Sequence, residues 1–388
     1  MRAVRSVRPG LWIQIITLAR MAAPVVPLAR QPSPMPRYPF CMAGATPAKN
    51  NEEALSAAPC KPAYRILKGT TFPGLCLLLS ACEGPLSALD PSGSGAARVA
   101  SLFYVMIAVA ALVWLFVMAL AIYAARKAPG ENSERTGRKF IVFGGILLPV
   151  MLLGTLSWWS FGLTNELLEP GDGLVVDVTG ERFWWRVQYE TENGPVISAN
   201  EIRVPLGERV EFRVRSTDVI HSFWIPSLGG KMDMVPGAVN RLVLEADREG
   251  TFRGACAEFC GLAHTLMEFD VVVMARDAFD TWLAQQAGNA ARPSTSLASR
   301  GLELFLQNGC GACHRIAGTA ADGRVGPDLT HVGSRRSIAA GTLPSDVGPI
   351  AGWISHPAAI KNGVLMPPYP MLDSDELVAI ATYLEGLE

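Results

Sequence analysis

The sequence predicts a multi-domain protein made of a two-helix membrane hairpin, a small β-sandwich and a separate C-terminal domain. Two long apolar stretches lie between residues 99 and 163, and short alternating runs fill residues 173 to 274. A Pro-containing stretch of small residues then separates these runs from the rest of the chain. A chain of 388 residues is long enough for two or three domains.

Composition narrows the classes of function. Hydrophobic residues make up 49% of the chain and its mean hydropathy is +0.24, which is high for a wholly soluble protein. The formal net charge is -1 and no basic stripe is interleaved with aromatic residues, which argues against a nucleic-acid partner. Four of the eight cysteines fall in two tight motifs and four in the first 82 residues, so the chain does not resemble a disulfide scaffold.

Residues 1–82 are predicted to be a leader and lipoprotein signal region. In "RILKGTTFPGLCLLLSAC", basic Arg65 and Lys68 precede a short apolar run that ends in small residues before Cys82. The end of this run, "LSAC", resembles a bacterial lipoprotein box. That resemblance implies cleavage that leaves Cys82 as a lipidated N-terminus, and the alternative is a buried apolar segment with a chance cysteine.

A transmembrane hairpin is predicted within residues 83–165. Its two apolar stretches begin at Val99 and Phe140, contain no charged residue, and can each cross a hydrocarbon core of roughly 30 Å as a helix. The segment between them is short and basic, with Arg126, Lys127, Arg135, Arg138 and Lys139. The positive-inside rule places this segment in the cytoplasm. Everything after the hairpin is then expected on the outer, periplasmic side of a bacterial inner membrane.

Residues 166–287 are predicted to form a β-sandwich or barrel. Val210, Phe212 and Val214 alternate with charged residues, a pattern typical of half-buried strands. The stretch "CAEFCGLAHTLM", residues 256–267, lies between two such runs, "TFRGA" and "EFDVVVM". It is therefore predicted to be a loop that connects strands.

This loop and a preceding strand collect residues that bind soft metals. The loop contains Cys256, Cys260, His264 and Met267, and His221 ends the earlier apolar run "DVIHSFWIP". Three interpretations compete: a buried apolar segment with incidental sulfur, a disulfide, or a metal site. A disulfide would leave the histidines and the methionine unexplained. The donor set suits copper; zinc is compatible by ligand type, but structural zinc sites usually close with four ligands.

Residues 83–285 resemble subunit II of the haem-copper cytochrome c oxidases. The resemblance rests on "DVIHSFWIPSLGGKMDMVPG", on "RLVLEADREGTFRGACAEFCGLAHTLM" and on the helix pair before them. It implies a cupredoxin-like β-sandwich that holds a binuclear copper centre, CuA. In such a centre Cys256 and Cys260 would be bridging thiolates, and His221 and His264 would be terminal imidazole ligands.

The resemblance also implies two weaker copper ligands. Met267 would be an axial ligand, and Glu258 would contribute its backbone carbonyl while its side chain helps to hold magnesium at the interface with subunit I.

The segment "GERFWWRVQY" departs from the family at its first aromatic position, usually a tryptophan that accepts electrons from cytochrome c. Here that position is Phe183, followed by Trp184 and Trp185. The alternative is that all three rings pack the sandwich and meet the membrane interface.

A linker is predicted at residues 288–300 and a further domain at 301–388. In "GCGACHR", Cys310, Cys313 and His314 form the Cys-x-x-Cys-His pattern of covalent c-type haem attachment. The two thiols add to haem vinyl groups, and the histidine then binds iron from one face.

The end of the chain resembles a small all-α class I cytochrome c domain, including "GPDLTHVGSR" and the element "MPP". The resemblance implies Met366 as the second axial haem ligand, with Met371 as the alternative. His331 and His356 are the remaining histidines, and we expect them to be hydrogen-bonding loop residues.

The combined resemblance is to the caa3-type oxidases, in which haem c and CuA share one chain. It implies electron transfer from a cytochrome c-type donor through haem c and CuA to haem a of subunit I, with subunit III as a further partner. Oxygen reduction would belong to subunit I. A haem-copper nitric oxide reductase is the alternative, because some of these enzymes also have a CuA subunit. A copper storage or delivery protein would have no use for the haem domain.

Overall fold

The computed structural model describes residues 84–126, 134–167, 169–171 and 173–388. The predicted leader, with Cys82, lies outside these residues. The described part contains two long helical segments, a β-sandwich of two sheets and a mainly helical C-terminal domain. The fold class predicted from the sequence is therefore confirmed.

The two long helical segments are apolar along most of their surface. Helix α1 is Ser94–Arg126, and α2 (Glu134–Val142) continues through a π-helical turn, Phe143–Leu147, into α3 (Leu148–Leu167). Large side chains such as Trp114 and Phe161 are exposed in the isolated chain. Such surfaces are stable where hydrocarbon replaces water, and both segments are long enough to span a bilayer.

The sandwich consists of two five-stranded sheets, with strand orders β3-β2-β1-β5-β8 and β4-β10-β9-β6-β7. Its strands are β1 (Val175–Glu181), β2 (Trp184–Tyr189), β3 (Val196–Ala199), β4 (Glu201–Pro205), β5 (Arg209–Ser216), β6 (His221–Trp224), β7 (Met232–Met234), β8 (Asn240–Glu245), β9 (Gly250–Cys256) and β10 (Glu268–Met274). The pairs β1–β5 and β4–β10 are parallel, and the other neighbours are antiparallel.

Three aromatic rings form the centre of the sandwich core. Trp185, Phe223 and Phe269 are fully buried. The Phe223 and Phe269 rings stack with centroids 4.9 Å apart, and Trp185 meets Phe269 edge-on at 5.1 Å. These rings lie beneath the ends of β6, β9 and β10, so they support the loop that carries the cysteines.

The C-terminal domain packs helices around its own core. Helix α4 (Arg276–Gln286) still packs on the sandwich, because its Phe279 and Trp282 are part of the sandwich core. The helices of the C-terminal domain are α5 (Ser296–Gln307), α6 (Val347–Ser355), α7 (Pro357–Ile360) and α8 (Ser374–Glu385). Two-residue strands β11 (Ser337–Ile338) and β12 (Leu343–Pro344) form a short ladder between α5 and α6. Gly301 lets α5 approach α8 closely, because an added Cβ there would lie 2.0 Å from the Ala379 carbonyl oxygen.

Helix α5 begins inside the segment predicted as a linker. The Thr295 side chain caps it by accepting a hydrogen bond from the Ala298 amide. Earlier in the segment, the Ala290 amide donates to the Ala317 carbonyl. Part of this segment is therefore bonded to the C-terminal domain.

We predict that Gly254→Ala destabilises the sandwich by about 2 kcal/mol, because overpacking a filled core forces neighbours to move. An added Cβ at Gly254 would lie 2.0 Å from the Phe269 ring. Denaturant unfolding of the detergent-solubilised chain, followed by tryptophan fluorescence, measures the change. Gly230→Ala is the control, since nothing lies within 4 Å of that position. Equal stability of the two variants would contradict the prediction.

Candidate metal and haem sites

The cysteine loop is closed by the strands that flank it. Cys256 ends β9 and Glu268 begins β10, and the Cys256 amide donates to the Met267 carbonyl at 2.9 Å. His264 begins a short 3-10 turn, His264–Leu266, within the loop. His221 begins β6, the strand paired with β9, so it lies beside the loop.

The structure brings the five predicted donor side chains together. The Sγ atom of Cys256 lies 3.8 Å from His221 Nδ1, and that of Cys260 lies 3.7 Å from His264 Nδ1 and 3.8 Å from Met267 Sδ. The two Sγ atoms are 3.8 Å apart, well beyond the ~2.05 Å of a disulfide bond. Donor atoms of His221, Cys256 and Cys260 all lie within 4.8 Å of one another, which is close enough to hold a metal ion.

Electrostatics favour a thiolate in this cluster. The hydrogen bond from the Cys260 thiol lowers the pKa of Cys256 to about 3, against the opposing effect of burial. The same contact raises the pKa of Cys260. Burial alone would lower the pKa of His221, but hydrogen bonds to Cys256 and Asp218 outweigh it and raise that pKa. Since the thiolate is the form of cysteine that binds metals, the cluster is prepared for a soft cation.

Asp218 orients His221 and was missed by the sequence analysis. Its Oδ1 lies 2.8 Å from His221 Nε2, which leaves Nδ1 facing Cys256. Its other oxygen accepts from the Arg182 amide at 2.8 Å. A carboxylate three residues before the histidine, in "DVIH", was the available sequence signal.

Glu258 lies in the same loop, and its backbone carbonyl and its side chain have different environments. Its backbone carbonyl is 3.2 Å from Cys256 Sγ, while the residue as a whole is exposed. The carbonyl therefore faces the sulfur cluster.

The Cys-x-x-Cys-His motif lines a cavity of about 420 Å³ between the C-terminal domain and the sandwich. Cys310, Cys313, His314 and Met366 all contribute to its wall. His314 Nδ1 lies 2.8 Å from the Pro327 carbonyl oxygen, so this nitrogen is the donor and Nε2 is left for iron. Burial lowers the pKa of His314, which favours the neutral ring that binds metals.

A buried guanidinium indicates that the cavity fits haem. Arg335 lines the cavity and is buried, and its Nε has no partner among the described residues. Its Nη2 donates to the Asp328 carbonyl at 2.6 Å. The free N–H matches the carboxylates that a haem carries at its edge. Sequence analysis missed Arg335, because nothing in "GSRR" shows which arginine is buried.

The other candidate haem ligands lie away from this cavity. Met371 is 68% exposed and does not contribute to the cavity wall. His331 lies 3.1 Å from the Glu388 carbonyl and 3.3 Å from the Gly288 carbonyl, and His356 Nδ1 lies 2.7 Å from Ser355 Oγ. Both histidines therefore have the hydrogen-bonding role that we expected.

The aromatic segment of the sandwich also reaches the haem cavity. Phe183 and Trp184 line the cavity, whereas Trp185 is in the sandwich core. The Phe183 ring lies between two glycines with positive φ, because an added Cβ would be 3.1 Å from it at Gly261 and 3.3 Å from it at Gly363. Phe183 therefore contacts both the cysteine loop and the C-terminal domain.

A membrane hairpin, a sandwich with a thiolate–imidazole cluster and a domain with a Cys-x-x-Cys-His cavity define a membrane-anchored redox protein. The family model described as cytochrome c oxidase subunit II, periplasmic domain, matches residues 189–275, and the cytochrome c model matches residues 298–388. These families imply copper in the sandwich and haem c in the C-terminal domain.

Known relatives cover most of the chain. Cytochrome c oxidase subunit 2 of Alkalihalophilus pseudofirmus is 36% identical over 81% of this chain and 95% of its own length. That of Bacillus subtilis is 32% identical over 80% and 95%. The periplasmic domain of subunit II from Bradyrhizobium japonicum is 28% identical, with a TM-score of 0.30, and covers 31% of this chain and 97% of the solved chain. The protein belongs to the cytochrome c oxidase subunit 2 family and is part of an oxidoreductase complex.

We expect Asp218→Asn to weaken copper binding about 10- to 100-fold, as loss of an outer partner of a metal-binding histidine commonly does. Titration of the purified chain against a competing chelator measures this change. Asp247→Asn serves as the control, because that exposed carboxylate lies away from the cluster. Unchanged affinity in Asp218→Asn would show that the hydrogen bond to His221 does not support the site.

Proposed function

We propose that this chain carries electrons from a cytochrome c-type donor through haem c to CuA and on to haem a of subunit I, where oxygen is reduced to water. One observation carries the proposal: the haem cavity and the sulfur cluster share a wall. Asp218 lines the cavity and also hydrogen bonds to His221. The two candidate redox sites are therefore adjacent in one chain.

At the copper site, the chain supplies a closed set of soft donors. Cys256 and Cys260 would supply the thiolates that hold the two copper ions, and His221 and His264 would supply imidazole ligands. Met267 and the Glu258 carbonyl would be the weaker ligands of the site. When bound, the copper pair would supply a one-electron centre. Four of the five donor side chains are buried and His264 is half-buried, which fits electron transfer better than substrate binding.

At the haem site, the chain attaches and orients the cofactor. Cys310 and Cys313 would form the thioether links, and His314 and Met366 would bind the haem iron. Arg335 would bind a haem carboxylate. When bound, haem c would supply a second one-electron centre beside the first.

Electrons from an external donor would enter through the C-terminal domain. Phe183, at the position of the family's usual entry residue, is buried against that domain, so a soluble donor cannot reach it directly. At the cavity wall, Val325 is 69% and Leu365 is 81% exposed. This difference in exposure supports the haem domain as the point of entry.

We also propose domain bounds for this chain, its membrane and its neighbouring subunits. The hairpin would span residues 83–165, the CuA domain 166–287, the linker 288–300 and the haem domain 301–388. The membrane would be the bacterial inner membrane, with subunits I and III as neighbours. The exposed Glu258 side chain is free to help hold magnesium at the contact with subunit I.

Substitution of either bridging cysteine should abolish the paired copper centre. The intact chain, purified in detergent, should give the multi-line EPR signal of an electron shared by two coppers. Cys256→Ser and Cys260→Ser should lose that signal and lower the copper content while they retain haem. Thr265→Ala, an exposed position in the same loop, is the control. A single-copper signal from the intact chain would contradict the CuA assignment.

Met366→Leu should remove the second axial haem ligand and lower the haem reduction potential, because thioether ligation raises that potential. Visible spectra and a redox titration of the ferric and ferrous chain measure both effects. Met371→Leu should leave them unchanged, since Met371 lies outside the cavity wall. The reverse pattern would assign the axial ligand to Met371.

A further inference from the structure

The haem domain is bonded to the sandwich along the segment that contains β11 and β12. The Glu268 amide, at the start of β10, donates to the Ala340 carbonyl at 3.2 Å. The Ser337 hydroxyl donates to buried Asp270 at 2.5 Å, and the Arg336 amide donates to Glu201 at 2.8 Å. The two domains therefore form a bonded interface, in addition to their covalent linker.

Lys361 is the most deeply buried cation in this interface. The residue is 1% exposed, although it follows the short surface helix α7. Its Nζ donates to the carbonyls of Leu266 at 2.7 Å, Phe183 at 2.8 Å and Ala339 at 2.9 Å. Two of these acceptors belong to the sandwich and one to the haem domain, so the ammonium group joins the two domains.

The surroundings of Lys361 match an ammonium group. Three carbonyl oxygens accept its three protons, whereas a neutral amine has only two to donate. Burial lowers the pKa of Lys361 to about 7, so the contacts work against a substantial cost of desolvation. Among the described residues, the side chain has no carboxylate within ion-pair distance. A buried cation held only by carbonyls needs all of them in place, and they are in place only when the domains are docked.

Each acceptor belongs to a segment that touches one of the two redox sites. Leu266 directly precedes Met267, and Phe183 lines the haem cavity and packs against Gly261 of the cysteine loop. Ala339 also lines the cavity. The ammonium group therefore connects the cavity wall to the C-terminal end of the cysteine loop directly, and to its middle through Phe183.

We propose that Lys361 is a positioning residue that locks the haem domain against the copper loop, so that electrons cross between the two sites in one fixed pose. The inference rests on the proposed function, because it assigns a role in transfer between haem c and CuA. It differs from simple tethering, in which a linker only raises the local concentration of donor.

Lys361→Met in the full chain tests this role, because methionine keeps an unbranched side chain of similar reach but cannot donate. After rapid reduction of the haem, electron transfer to CuA should be about tenfold slower than in the native chain, since small misplacements of reacting centres lower rates steeply. Haem and copper spectra should be unchanged. Amide hydrogen exchange should be faster in residues 336–342 and 262–268, a readout that does not depend on transfer. Lys231→Met, an exposed lysine of the sandwich, should change neither measurement.

The outcomes separate the inference from the proposed function. A native chain that binds both cofactors but transfers no electron between them would overturn the function, while hydrogen exchange would still report on docking. Native rates and native exchange in Lys361→Met would overturn the inference alone. Lys361→Gln keeps two N–H donors and should show a smaller effect of the same kind. Loss of haem or copper from both variants would instead assign Lys361 to folding and would also overturn it.

Discussion

The antiparallel pairing of β9 with β10 is the constraint on which the metal cluster depends. The hydrogen bond from the Cys256 amide to the Met267 carbonyl closes the cysteine loop and places its first and last donors side by side. Beneath this closure, Gly254 leaves room for the Phe269 ring, which stacks on Phe223. The loop is therefore supported by a filled aromatic core, and its donors need little rearrangement to meet a metal.

The two candidate redox sites are adjacent and share a wall. Asp218 belongs to both, because it orients His221 on one side and lines the cavity on the other. Phe183 lies beside it, between Gly261 and Gly363. The glycines allow the ring to contact both backbones, since a side chain at either position would be crowded against it and would also require a positive φ. Phe183 is therefore suited to a position that the C-terminal domain of the same chain covers.

The sequence predicted the residues whose chemistry depends on spacing, and it missed those whose role depends on burial. Cys256, Cys260, His264 and Met267 lie in one short loop, so their convergence follows from local order. The Cys-x-x-Cys-His motif is equally local. Arg335 and Lys361 look like ordinary surface cations in the sequence, because nothing local shows that another segment will cover them. The Ala290–Ala317 hydrogen bond likewise joins segments that are distant in the chain, so local sequence does not show it.

The kind of contact at the domain interface explains how docking can be stable. Among the described residues, no ion pair joins the sandwich to the haem domain. Instead, cations donate to backbone carbonyls: Arg186 to Arg324 at 2.9 Å, Arg203 to Ser334 at 3.2 Å, and Lys361 to its three acceptors. Attraction between exposed charges acts at a distance and is screened by salt, which suits brief encounters of separate proteins. Hydrogen bonds to carbonyls require close contact and a fixed geometry. They suit an electron donor that is already part of the chain. Such a donor does not have to be captured from solution, but it has to be held in a fixed pose.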